Sequence, residues 1–205
     1  MRGLYLILDQ DLLRVGPMEA MTAAFSSGVR LFQYRDKSGS RRAIYEAALL
    51  LARTARQLGA LFIVNDHADI AAAAGADGVH LGQDDLPIEG ARRLLGGGKI
   101  IGISTHSAKQ AREAERAGAD YIGFGPIYAT FTKDAGAAQG TDAIRIIKQT
   151  VKIPVIAIGG INRENAPEVV RAGADGVAVI GAILSAENIA AAAEEIVETI
   201  RIRVS

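Results

Sequence analysis

"GADGVHL", residues 75–81, decides how the rest of the chain is read. A Gly-Ala-Asp step leads at once into a short apolar run. The same step recurs in "GADYIGFG" at 118–125 and in "GADGVAVI" at 173–180, and Ser27-Gly28-Val29 is a weaker copy. Each copy reads as a helix closed by glycine, with the chain re-entering a sheet. Chance can produce Gly-Ala-Asp in a chain rich in glycine and alanine, but three copies in matched contexts favour a repeated structural step.

Outward from these copies, short apolar runs recur along the whole chain. They are LYLILD (4–9), VRLFQY (29–34), LFIVN (61–65), GVHL (78–81), KIIGIS (99–104), YIGFG (121–125), PVIAIG (154–159) and GVAVI (176–180). They are too short for core helices and nearly continuous in apolar character, as suits parallel strands covered on both faces. The segments between them are amphipathic. IYEAALLLARTARQLG (44–59) turns Arg53 and Arg56 outward and stops at Gly59; SAKQAREAERAG (107–118) offers Ser107 as an N-cap; SAENIAAAAEEIVETIRIRV (185–204) offers Ser185. Eight strand–helix alternations predict an α/β fold, a (β/α)8 TIM barrel formed by one domain over residues 1–205, with an open doubly wound sheet as the competing arrangement.

Composition narrows the function classes. With 49% apolar residues the chain can bury a substantial core, and its 23 acidic and 23 basic side chains balance, which argues against a nucleic-acid or membrane-surface partner. Cysteine is absent, so disulfides, thiolate metal sites and cysteine nucleophiles are excluded. No apolar run nears the roughly 18 residues of a membrane span, and the first residues hold too short an apolar run for a secretory signal. A soluble cytoplasmic protein is expected, with small molecules as partners and a homo-oligomer compatible with all of this.

Barrel chemistry sits above the C-terminal strand ends, and polar residues gather there. Gln33-Tyr34-Arg35-Asp36-Lys37, Asn65-Asp66, Gln83-Asp84-Asp85 and Ser104-Thr105-His106 follow four successive strands, while the opposite ends carry mostly small residues. Asp66 and Asp85, on neighbouring strand ends, suit a hard cation such as Mg²⁺; either could instead cap the next helix. Arg35 and Lys37, with Lys133 from the long segment "GPIYATFTKDAGAAQG" (125–140), imply a polyanionic ligand, most simply a diphosphate, although any one of them could be a solvated surface charge. Gly159-Gly160 and Gly181 let backbone amides approach a second anion, and turn glycines are common enough that this is weak alone. His106 reads as a structural hydrogen-bonder at a helix start, with general-base work the alternative; His67 and His80 read as structural.

At these residues the sequence resembles the thiamine phosphate synthase family over nearly its whole length. The matching stretches are QYRDK (33–37), IVNDHADIA (63–71), GVHLGQDDLP (78–87), GISTHS (102–107), GPIYATFTKDAG (125–136), IAIGGIN (156–162) and ADGVAVIGAI (174–183). The resemblance implies coupling of hydroxymethylpyrimidine diphosphate to thiazole phosphate, with release of pyrophosphate. It implies that Gln33, Tyr34, Arg35, Asp36, Lys37 and Asn65 hold the pyrimidine diphosphate. It gives Mg²⁺ to Asp66 and Asp85, and contacts to the diphosphate substrate to Ser104 and Lys133; Lys133, Ser104 and Arg35 are then the expected catalytic groups. Thr130, Phe131, Thr132, Gly160, Ile180 and Gly181 are implied in thiazole phosphate binding, and the 125–140 segment is expected to close as a lid. Gly181 stands where the family often has serine, Asp36 shortens a usual glutamate, and Tyr34 and Phe131 are bulkier than expected. Two other readings use the same barrel. A thiazole tautomerase would fit the Ser104-Thr105-His106-Ser107 pattern without needing metal, and a non-catalytic phosphate-ligand sensor would need only the fold. The complete acid and cation set favours the synthase.

Overall fold

The computed structural model describes residues 1–130 and 136–201. Eight parallel strands close into a barrel in chain order: β1 Gly3–Asp9, β2 Leu31–Arg35, β3 Leu61–Asn65, β4 Gly78–Leu81, β5 Ile100–Thr105, β6 Tyr121–Phe124, β7 Val155–Ile158 and β8 Gly176–Val179. Closure is made by β1 against β8, with Gly3 opposite Gly176 and Leu6 opposite Val179. The helices α1 Pro17–Ser26, α2 Arg41–Leu58, α3 Ala68–Ala74, α4 Ile88–Leu95, α5 Ala108–Arg116, α6 Gly140–Thr150, α7 Ala166–Arg171, α8 Gly181–Leu184 and α9 Ile189–Arg201 lie outside. The expected (β/α)8 architecture stands, with strand bounds displaced by at most two residues.

Strand alternation sorts side chains into two cores. Tyr5, Ile7, Leu31, Ile63, Tyr121 and Ile156 fill the barrel, while Leu6, Phe32, Phe62, Val79 and Val177 pack outward against the helices. No described helix is long and apolar enough to cross a membrane.

Local signals explain the helix ends. Ser40 Oγ accepts the Ala43 N–H at 3.2 Å to start α2, and Gly59 ends it in the left-handed region at φ 72°. Ser107 caps α5 through Gln110 N–H, as expected. The expectation for the last helix is corrected. Ser185 closes the short α8 instead, and α9 begins after Asn188, whose Oδ1 accepts the Ala191 N–H at 3.0 Å.

The Gly-Ala-Asp echo has a physical cause. In each copy the aspartate accepts the N–H of a residue at the start of the preceding strand: Asp77 from Phe62 at 2.8 Å, Asp120 from Ile101 at 2.7 Å and Asp175 from Val155 at 2.8 Å. Arg92 pairs with Asp120 at 2.6 Å and Lys148 with Asp175 at 2.6 Å. The bottom of the barrel is therefore stapled by side-chain carboxylates, and is not merely the small-residue turn set expected from sequence. The Ser-Gly-Val copy before β2 places Arg30 where the others have aspartate. Its guanidinium lies 4.0 Å from the centre of the Phe25 ring and donates to Phe25 and Val29 carbonyls.

Candidate active site

A cavity of about 550 Å³ opens at the C-terminal end of the barrel, and its lining from the ends of β2 to β5 includes Arg35, Lys37, Asn65, Asp66, Asp85 and Ser104, together with Gln83 and His106. Six residues singled out by sequence thus converge on one space.

The strand ends fix this constellation locally. Arg35 ends β2 and pairs with Asp9, a buried carboxylate at the end of β1 that the sequence reading did not single out. Asp9 anchors the guanidinium at the mouth, and its other oxygen accepts the Asp11 N–H at 3.1 Å. Asp66 follows β3 at φ 63°, a left-handed conformation that aspartate tolerates better than most side chains. The Asp66 N–H donates to the His80 carbonyl at 2.8 Å, and Lys37 Nζ donates to its Oδ2 at 2.5 Å. Asp85 Oδ2 accepts the Gly82 N–H at 2.6 Å within its own turn, so it caps no helix. Burial pushes the Asp85 carboxyl above its usual range, the Gly82 N–H pulls it down, and the charge of the adjoining Asp66 carboxylate adds to the rise. Two carboxylates crowded together in this way favour a cation between them.

Among the described residues no cluster of three or more His, Cys, Asp or Glu side chains is set to hold a metal. The donor set offered by Asp66 and Asp85 is two carboxylates and nothing softer. That fits an ion which completes its shell with water and phosphate oxygens, and does not fit a fully protein-caged metal.

Three expected pyrimidine-diphosphate contacts do not line the cavity. Tyr34 alternates with the inward Gln33 and Arg35, so its ring packs in the outer core, and its hydroxyl donates to Gln10 Oε1 at 3.0 Å. Burial raises its phenol far above the ordinary value, with the Asp36 charge adding to the effect. Asp36 folds back on its own turn, accepting the Ser38 and Gly39 N–H groups at 3.0 and 2.7 Å. Gln33 lies beneath the mouth, inside the barrel, where its Nε2 donates to Tyr5 Oη at 2.7 Å. In this structure Asp36 supports the turn that carries Lys37, and Tyr34 packs behind it.

The expected thiazole phosphate residues divide. Gly160 and the Ile180–Gly181 pair sit on the neighbouring ends of β7 and β8, beside the charged cavity rather than in its lining. Gly160 has φ 64°, and a Cβ there would fall 2.6 Å from the Ala129 carbonyl oxygen, so only glycine allows the 125–130 segment to pack on this turn. Thr130 is partly buried at the end of that segment. Phe131, Thr132 and Lys133, with most of the expected lid, lie outside the described residues. His106 Nδ1 lies 2.7 Å from the Gly125 carbonyl, so it carries the ring proton and holds β6's exit turn. Gln83, which also lines the cavity, donates to the Ser104 carbonyl at 2.6 Å.

A closed parallel barrel with carboxylates, cations and hydroxyls gathered at its C-terminal mouth defines the class, a (β/α)8-barrel protein whose site is built for an anionic small molecule. Residues 4–183 match the model of the thiamine monophosphate synthase family, and the chain belongs to that family. It is 49% identical over 195 residues to the thiamine-phosphate synthase of Chloroflexus aurantiacus, covering 94% of this chain and 90% of that protein. With its counterpart in Syntrophomonas wolfei subsp. wolfei it shares 46% over 189 residues, 91% of this chain and 90% of the relative. Among solved structures it superposes on thiamine phosphate pyrophosphorylase from Pyrococcus furiosus with a TM-score of 0.91 and 41% identity, covering 99% of this chain and 97% of that one.

Proposed function

We propose that this chain is a thiamine phosphate synthase, joining hydroxymethylpyrimidine diphosphate to thiazole phosphate. The observation that carries the reading is the convergence of Asp66, Asp85, Arg35, Lys37 and Ser104 on one cavity in a chain of this family. In the reaction the bond between the pyrimidine methylene and the diphosphate oxygen breaks, and its electron pair leaves with pyrophosphate. The thiazole nitrogen lone pair then forms the new C–N bond. No proton is removed from the nucleophile, so no general base is required.

Arg35, oriented by Asp9, offers paired donors to the departing oxygens, and Lys37 offers a point charge. Asp66 and Asp85 would hold Mg²⁺, which supplies charge neutralisation on the diphosphate when bound. Ser104 donates to the same group, and Asn65 borders it. Lys133, Thr130, Phe131 and Thr132 are assigned to substrate contact by family resemblance, as are Gly160, Ile180 and Gly181 for the thiazole phosphate. Catalysis then rests on stabilising the leaving group and aligning the nucleophile. The balanced charge and short apolar runs support a soluble cytoplasmic enzyme.

The test is to mix purified protein, both substrates and Mg²⁺ and follow thiamine phosphate by mass spectrometry. Product that vanishes with chelation and with Asp66→Ala supports the reading. Absence of product from a folded protein overturns it. His106→Ala separates the synthase from a tautomerase: coupling persists without a base, whereas a tautomerase that uses this imidazole would lose nearly all turnover.

A further inference from the structure

Beneath the mouth, the barrel holds a chain of hydrogen bonds that leads to Ser104. Gln33 Nε2 donates to Tyr5 Oη at 2.7 Å, and the Tyr5 and Tyr121 hydroxyls lie 3.0 Å apart. Tyr121 Oη is 2.8 Å from His80 Nδ1, and His80 Nε2 is 2.9 Å from Ser104 Oγ. Space has been cleared for these rings. A Cβ on Gly102 would fall 2.1 Å from Tyr121 Cζ, and one on Gly123 would fall 3.1 Å from His80 Cε1. The Tyr5 and Tyr121 rings meet edge to face at 6.1 Å, and His80 tilts over Tyr121 at 5.4 Å.

Proton counting gives the chain one direction. With Gln33 donating an amide proton to Tyr5, every hydroxyl proton in the chain finds an acceptor when Tyr5 donates to Tyr121 and Tyr121 to His80 Nδ1, whereas the reverse order leaves the Tyr5 proton without one among the described residues. With Nδ1 accepting, His80 carries its own proton on Nε2 and donates it to Ser104. Ser104 Oγ is then occupied as an acceptor, its hydroxyl proton has no other partner among the described residues, and the residue lines the cavity.

We propose that His80 and Tyr121 are positioning residues that orient the Ser104 hydroxyl as a hydrogen-bond donor aimed into the mouth, toward the diphosphate oxygens. The identity of that acceptor rests on the synthase reading; the direction of the chain does not. A free serine rotor donates or accepts with equal ease. A serine fixed from below is already set for an oxygen that gains negative charge, which is the kind of preorganisation that lowers a barrier.

The test uses ¹⁵N–¹H correlation spectra of the three histidines in the substrate-free protein. The expected spectrum has His80, assigned from its loss in His80→Gln, protonated at Nε2 and bare at Nδ1, with His106 as an internal contrast protonated at Nδ1. Tyr121→Phe should mix the His80 tautomers and lower the single-turnover rate by roughly three- to tenfold, the scale of one neutral hydrogen bond, with KM for thiazole phosphate unchanged. An Nδ1-protonated His80 in the wild type overturns the proposal, as does a Tyr121→Phe variant that keeps the wild-type rate. A wild type that shows the Nε2 tautomer but forms no thiamine phosphate refutes the synthase reading while supporting the direction of the chain.

Discussion

Lys37 Nζ lies 2.5 Å from Asp66 Oδ2, and Asp66 is the one non-glycine residue of those described with a positive φ. A strained backbone therefore presents a carboxylate to an ammonium that is itself half exposed. If Asp66 holds Mg²⁺ as proposed, the ammonium and the metal would share one carboxylate.

Removing Lys37 should therefore act in opposite directions on the two ligands. Lys37→Met should tighten Mg²⁺ binding to the substrate-free protein by up to roughly fivefold, the scale of a partly exposed ion pair. It should also raise the KM for hydroxymethylpyrimidine diphosphate. Calorimetric titration with Mg²⁺ checks the first and steady-state kinetics the second; weaker metal binding in the variant would sink the competition.

Loss of Lys133, which lies outside the described residues, should slow the chemical step. By family resemblance its charge meets the leaving diphosphate, so Lys133→Ala should raise the barrier by about 3 kcal/mol, the scale of one charge-stabilising group. Rapid-quench single turnover at saturating substrates reads this directly, and an unchanged rate would remove the lysine from catalysis.

His80 gives the fold a pH dependence. Burial lowers its pKa from 6.5 to about 4, so across that window the unfolded chain binds the proton that the folded chain refuses. Stability is thus fully present above about pH 6.5 and declines as pH falls toward 4, by on the order of 3 kcal/mol. Urea denaturation at several pH values, compared between wild type and His80→Gln, isolates this contribution. Parallel pH profiles for the two proteins would contradict it.

The staples at the barrel bottom should matter to stability alone. Asp120→Ala leaves the N–H of Ile101 without its acceptor and removes the carboxylate partner of Arg92, which keeps its carbonyl contacts, and should cost about 1–3 kcal/mol. KM for both substrates should stay at the wild-type value, because the lesion lies at the opposite end from the mouth. Denaturant midpoints and kinetics on the same preparation decide it.

Gly181 has room for the hydroxyl that the family often carries. A Cβ there would meet nothing closer than Ser185 Oγ at 3.8 Å, and its φ lies outside the left-handed region. Gly181→Ser should leave the unfolding midpoint nearly unchanged and lower the KM for thiazole phosphate about threefold to tenfold through one added hydrogen bond. A KM that stays put would separate this position from the phosphate.

The barrel was legible because its causes are local and repeated. Gly59, Ser107 and the Gly-Ala-Asp steps each stop or start an element within a few residues of themselves. Much of the mouth was legible too, since polar residues at strand ends stand out against apolar runs. What escaped depends on distance or on face. Asp9 meets Arg35 across two strands, and His80 meets Tyr121 across 41 residues of sequence separation, so neither pair leaves a local mark. Tyr34 packs outside the barrel because strand alternation sends every second side chain of a continuous motif away from the barrel interior.

The carboxylate staples precede β4, β6 and β8, with Arg30 in the matching place before β2. The floor of the molecule therefore has the rhythm of a two-strand module repeated four times, while the strand ends above it carry carboxylates, cations, hydroxyls and glycine turns in no such repeat. Such a scaffold keeps its means of closing the ring separate from its means of choosing a ligand. Changes in the upper loops can accumulate without loosening the closure, so one frame can be refitted for another substrate.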